Sequence, residues 1–139
     1  MAKTKEDLKP GLKKKLKKFN DHFSNVMGGL KRRGADEDEV YRARVYVSSH
    51  LLEAKPCHYC NEPLDTCKWS LDHAIPLSRG GSHKVRNLRV CCGRCNRRKG
   101  SLTNVEFIML QAWIKEHFPT EAVADILRRL GMGGYGFRR

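Results

Sequence analysis

The sequence predicts an α+β fold, mainly helical, in which N- and C-terminal helices flank one small metal-stapled centre. Three observations predict it. Apolar residues recur at helical spacing over residues 36–54, 103–118 and 120–130. Two Cys-x-x-Cys pairs, Cys57/Cys60 and Cys92/Cys95, stand roughly thirty residues apart. Between them lie two short stretches of strand character, Trp69 to His73 and Asn87 to Cys91, separated by a loop containing Pro76 and Gly80-Gly81.

Residues 1–35 form a lysine-rich arm with few acids to balance it. Leu12, Leu16 and Phe19 fall at helical spacing, so a short helix is expected around residues 11–20, punctuated by Pro10-Gly11 before it and Gly28-Gly29 after it. A solvated arm without fixed structure is the equal alternative, and both forms supply phosphate contacts. Residues 36–54 are predicted as one helix. Asp36, Glu37, Asp38 and Glu39 crowd its first turn, where the helix dipole favours anions. Val40, Ala43, Val47, Leu51 and Ala54 form its apolar stripe, and Pro56 ends it, although Arg44-Val45-Tyr46-Val47 also has strand character.

Trp69 to His73 and Asn87 to Cys91 read as an outgoing and a returning strand, and Gly93 to Lys99 begins a helix. Thr103 and Glu106 have the spacing of a capping box, and the helix they open carries Val105, Ile108, Met109, Ala112 and Trp113, a stripe read as core packing. Thr120 starts a last helix with Val123, Ile126, Leu127 and Leu130, stopped by Gly131. A main domain is therefore expected over residues 36–130, followed by a glycine-rich tail over 131–139.

The chain has 139 residues, enough for one modest core, and a formal net charge of +13. A surface this positive attracts polyanions, because each neutralised phosphate releases condensed counterions. No run of apolar residues approaches transmembrane length, and the polar N-terminus lacks the apolar core of a secretory signal. A cytoplasmic protein with no membrane partner is expected.

Six cysteines in a reducing compartment point to metal ligands or buried thiols rather than disulfides. Cys57, Cys60, Cys92 and Cys95 have the spacing of a four-cysteine zinc site. Four thiolates fill the tetrahedral shell and leave no position for water, so this zinc is expected to be structural. Such a site contributes ~10–16 kcal/mol to folding. Cys91 is expected to be buried and Cys67 to be no ligand.

In order, the segment Cys57 to Lys99 contains Cys57-x-x-Cys60, Asp72-His73-Ala74-Ile75-Pro76, Gly80-Gly81, Asn87-Leu88 and Cys92-x-x-Cys95-Asn96-x-x-Lys99. It resembles the zinc-containing HNH endonuclease motif over about a third of the chain, with every part in the expected order. The resemblance implies a central ββα-metal unit and hydrolysis of phosphodiester bonds in double-stranded DNA. It implies that His73 is the general base and that Asn87 orients its ring. Asp72 and Asn96 would hold a catalytic divalent cation, Mg²⁺ or Mn²⁺. Asn96 stands where many relatives have the last histidine, which favours an oxygen-rich, Mg²⁺-type site. Lys99 would add positive charge near the scissile phosphate, and Arg79, Lys84, Arg86, Arg94, Arg97 and Arg98 would track the nucleic-acid backbone. The products would carry a 5′ phosphate and a 3′ hydroxyl.

Adjacent Asp72 and His73 point to opposite sides of an ideal strand, so the implied site needs a backbone bend there. Free-standing proteins of this pattern are frequent in bacteriophages and prophages. The resemblance therefore extends to phage packaging or recombination proteins as partners, and to a monomer or weak dimer. Two alternatives share the zinc and the basic surface: a DNA-binding or adaptor protein without catalysis, and a nuclease acting mainly on RNA. Only the nuclease readings need Asp72, His73, Asn87 and Asn96.

Overall fold

The computed structural model describes residues 4–131. Of the glycine-rich tail expected over 131–139, Gly131 is the last residue of the final helix and the rest lies outside the described residues. Five α-helices and one two-stranded antiparallel sheet follow in the order α1 (Pro10–Arg32), α2 (Glu37–Leu52), β1 (Trp69–His73), β2 (Leu88–Cys92), α3 (Gly93–Lys99), α4 (Asn104–His117) and α5 (Thr120–Gly131). None of these helices is long and apolar enough to cross a membrane.

Helix α1 is far longer than the short helix expected from Leu12, Leu16 and Phe19. Gly28 and Gly29 lie inside it, although each glycine costs a helix interior about 1 kcal/mol. Tertiary burial offsets that cost. Phe23, Val26, Met27 and Leu30 form a face that packs on the sheet, with Met27 and Leu30 fully buried. The helix ends at a left-handed Gly34 (φ +105°), where Gly34 N–H donates to Lys31 O at 3.0 Å and Ala35 N–H to Leu30 O at 3.2 Å. These are the two bonds of a Schellman cap, closed by the buried pair Leu30 and Ala35.

Helix α2 begins with a full capping box. The Asp36 carboxylate accepts from Glu39 N–H at 2.7 Å, and the Glu39 carboxylate accepts from Asp36 N–H at 3.0 Å. Ala43 and Val47 of the expected stripe are buried, Val40 and Leu51 are half-buried, and Ala54 lies beyond the helix end. The helical periodicity thus prevails over the strand character of residues 44–47.

The hairpin separates two cores. Its register pairs Leu71 with Val90, Asp72 with Arg89 and His73 with Leu88. Trp69, Leu71, Leu88 and Val90 face α1 and α2 and join Met27, Leu30, Ala43 and Val47. On the opposite side Cys57, Cys91, Cys95 and Phe107 form a second cluster, flanked by Tyr59, Leu64 and Leu102. Cys91 is fully buried there, as expected.

In α4 the structure overturns the predicted stripe. Val105, Ile108, Met109 and Trp113 are exposed, and the inward face is instead Phe107 and Ile114 with Leu110 partly covered. The helix is apolar on most of its circumference, so spacing alone does not select a face. Docking of Phe107 against Tyr59 (centroids 5.4 Å apart) makes the selection. The Thr103/Glu106 capping box is present as expected.

Candidate active site

The cysteine pairs converge. The Sγ atoms of Cys57, Cys60, Cys92 and Cys95 all lie within 4.8 Å of one another, and those of Cys60 and Cys92 are 3.9 Å apart. A tetrahedral zinc with bonds of about 2.3 Å needs sulfurs about 3.8 Å apart, so the spacing fits that ion. The backbone is arranged for thiolates as well. Tyr59 N–H and Cys92 N–H donate to Cys57 Sγ at 3.4 and 3.3 Å, and Cys95 N–H donates to Cys92 Sγ at 3.5 Å. Together with the Cys95 thiol, the first in effect, such donors hold Cys57 down to about 4. The cluster joins the loop before β1 to the start of α3.

Strand β1 keeps its alternation to the end. Ser70 and Asp72 face α3 and the cysteine cluster, whereas Leu71 and His73 face the α1/α2 side with Leu88. The two side chains share no hydrogen bond: Asp72 is held by Tyr59 and Lys99, and the His73 ring by His83. Asp72 Oδ2 accepts from the Tyr59 hydroxyl at 2.5 Å, and Oδ1 pairs with Lys99 Nζ at 3.3 Å. Lys99 also donates to the His73 carbonyl at 3.0 Å, which holds α3 against the last peptide of β1. Burial, more than the neighbouring Asp72 carboxylate, raises the Tyr59 phenol and keeps it a proton donor.

His73 is 7% exposed, and its Nε2 lies 3.1 Å from Nδ1 of His83. Burial, then the nearby His83, Arg33 and Lys99, pushes the imidazole down to about 4, so it is uncharged at neutral pH. Among the described residues no buried side-chain nitrogen or oxygen lacks a hydrogen-bond partner. His73 Nδ1 has none, so solvent reaches it. By the same reasoning solvent reaches the half-buried Asn96 carboxamide, which is bonded to neither Asp72 nor His73.

Residues 57–110 match the family model of the HNH endonucleases. This central segment resembles the HNH endonucleases. The family is one of nuclease-type hydrolases, and the match covers the cysteine cluster, both strands, α3 and the first half of α4. No curated protein matches the chain significantly.

Within the HNH segment, three expected residues have different partners from those anticipated. Asn87 does not touch the His73 ring. Its Oδ1 accepts from Ile75 N–H at 2.8 Å, and its Nδ2 donates to Ile75 O at 3.0 Å and Ser82 O at 2.9 Å. An amide satisfied by three backbone groups braces the loop after β1 and is not free to orient a ring. Gly81 closes the same loop, because a Cβ there would stand 1.7 Å from Ile75 O. Lys99 is 1% exposed and cannot meet a substrate phosphate; its charge is spent on Asp72 and His73. Arg79 pairs with Glu106.

Lys84, Arg86, Arg94 and Arg97 are exposed as a backbone-tracking surface requires, and Arg98 is half-buried. Sequence reasoning missed Tyr59, because a tyrosine between two zinc ligands carries no signal of a partner thirteen residues ahead. It also missed His83 and Arg33, whose carbonyl lies 3.1 Å from His83 Nε2.

Proposed function

We propose that the chain is a metal-dependent endonuclease that hydrolyses phosphodiester bonds in double-stranded DNA, with His73 as general base. The observation that carries this reading is the His73 ring at the end of β1, inside the segment that matches the HNH endonucleases, held through Nε2 with Nδ1 left without a protein partner. Nδ1 takes a proton from water, and the resulting hydroxide attacks phosphorus in line with the leaving 3′ oxygen. The departing 3′ oxygen takes a proton from solvent water, and His73 later returns its own to solvent, which leaves a 5′ phosphate and a 3′ hydroxyl.

Asp72 and Asn96 would hold the catalytic Mg²⁺ or Mn²⁺. A carboxylate offers about four lone-pair directions. Tyr59 and Lys99 occupy two of them, so Asp72 keeps capacity for a ligand bond, and the Asn96 amide oxygen is a hard donor open to solvent. When bound, the cation stabilises the charge that develops on the phosphate and the departing oxygen. The tetrathiolate zinc holds the scaffold and takes no part in the chemistry. Arg86, Arg94, Arg97 and Arg98, with Lys84 and Arg79, draw in the nucleic-acid backbone without reading its sequence.

The test is nicking of supercoiled plasmid by the purified protein with Mg²⁺ or Mn²⁺. His73→Ala is expected to lose nicking while retaining zinc and fold. Equal nicking by that variant overturns the reading, and preferential cleavage of structured RNA reassigns the substrate.

A further inference from the structure

We propose that His83 is the positioning residue for His73, taking the place expected of Asn87, and that it does so by fixing the tautomer of the His73 ring. The inference rests on the reading of His73 as general base. Two distances carry it: His83 Nε2 lies 3.1 Å from the carbonyl of Arg33, and His83 Nδ1 lies 3.1 Å from Nε2 of His73. The rings meet edge to face at 73° with centroids 5.1 Å apart.

The direction of the chain follows from the Arg33 carbonyl, which can only accept. His83 must therefore carry its proton on Nε2, and in a singly protonated ring Nδ1 is then an acceptor. His73 must in turn donate through Nε2. Its lone pair is left on Nδ1, the ring nitrogen that solvent reaches. The opposite tautomer would aim the lone pair at His83 and present water with an N–H, which cannot act as a base.

The anchor is itself firm. Arg33 is the C-cap residue of α1, and its carbonyl is among the helix-end acceptors that have no partner within the helix. The left-handed Gly34 that follows lies against His83, with an added Cβ at 4.0 Å from Nε2. At the other end, Asn87 Nδ2 grips the Ser82 carbonyl and so fixes the backbone that bears His83. Asn87 acts on His73 only through this loop. The relay makes the C-terminus of α1, a helix outside the segment that matches the family, part of the catalytic apparatus.

The experiment compares zinc-loaded full-length wild type with His83→Leu, which removes the acceptor, and His83→Asn, whose side-chain oxygen can accept where Nδ1 did. ¹⁵N–¹H spectra of ring-labelled histidine at neutral pH report the tautomer, and plasmid nicking reports kcat and KM separately. Wild-type His73 is expected to show a protonated Nε2 and an unprotonated Nδ1. His83→Leu is expected to mix the tautomers and lower kcat at least about 10-fold with KM for DNA unchanged, and His83→Asn to recover most of the loss; a wrong tautomer in a catalytic triad costs up to ~10⁴. A wild-type His73 protonated on Nδ1, or an unchanged tautomer and kcat in His83→Leu, overturns the proposal. So does a failure of His83→Asn to recover while zinc content and thermal unfolding match wild type. A wild type that shows the expected tautomer but nicks no nucleic acid refutes the endonuclease reading and leaves the tautomer assignment standing.

Discussion

Lys99 and Asp72 form a buried ion pair whose two halves depend on each other. The ammonium is 1% exposed, the carboxylate 6%, and each is the other's only opposite charge at contact distance among the described residues. Removing one partner of such a pair leaves the other charge buried, which costs about 3–5 kcal/mol. Lys99→Met is therefore expected to destabilise the protein by roughly that amount, read from urea unfolding. The double variant Lys99→Met/Asp72→Asn should recover part of the loss, because the uncompensated charge is gone; strict additivity would sink the pairing argument.

His73 gives a pH dependence at the same scale. Its folded pKa lies near 4, below the ordinary 6.5 of the unfolded chain. Between those values the unfolded state binds the extra proton, so this residue withdraws stability as pH falls from 6.5 towards 4 and contributes no such penalty above that window. The loss of stability between pH 7 and 5 should be smaller in His73→Gln than in wild type. An equal loss in both would show that burial does not depress this imidazole.

At the scale of elements, α4 separates periodicity from packing. Trp113 is half exposed and stacks on His117 at 4.4 Å, whereas Phe107 is wholly buried beside the cysteine cluster. Phe107→Ala should cost about 3–5 kcal/mol, and Trp113→Ser should stay within about 0.5 kcal/mol of wild type. The reverse order would mean that the predicted stripe, not the observed face, is the buried one. The caps of α2 and α4 were legible in Asp36-x-x-Glu39 and Thr103-x-x-Glu106, because a capping box is local and both partners lie within one turn. The extent of α1 was not legible. Phe23, Val26, Met27 and Leu30 are ordered by β1 and β2, the first of which begins only at Trp69.

Over the whole molecule, the cysteine cluster and the positive surface dominate. Elemental analysis should find one zinc per chain, and Cys92→Ser/Cys95→Ser should not fold, since a structural zinc supplies ~10–16 kcal/mol, comparable to a domain's entire stability. Full folding of that variant would refute a structural tetrathiolate. With a net charge of +13, DNA binding by the inactive His73→Ala protein should fall steeply with salt, by ~10³ or more between about 50 and 200 mM if six or more phosphates are neutralised. A flat salt response would remove backbone tracking from the account.

The four-cysteine cluster, the two strands, the helix that follows them and the helix caps were all legible in the residues themselves. Each of these depends on residue type and short-range spacing: paired thiols two residues apart, alternation along a strand, side chains that reach one turn of backbone. The partners across the site came from packing. It turned Lys99 inward to Asp72, committed Asn87 to the backbone of Ile75 and Ser82, and set His83 between His73 and the carbonyl of Arg33. Those contacts join residues from five to fifty positions apart, and hydrogen-bond pairing at such separations is fixed by how α1, the hairpin and α3 pack rather than by any pattern along the chain.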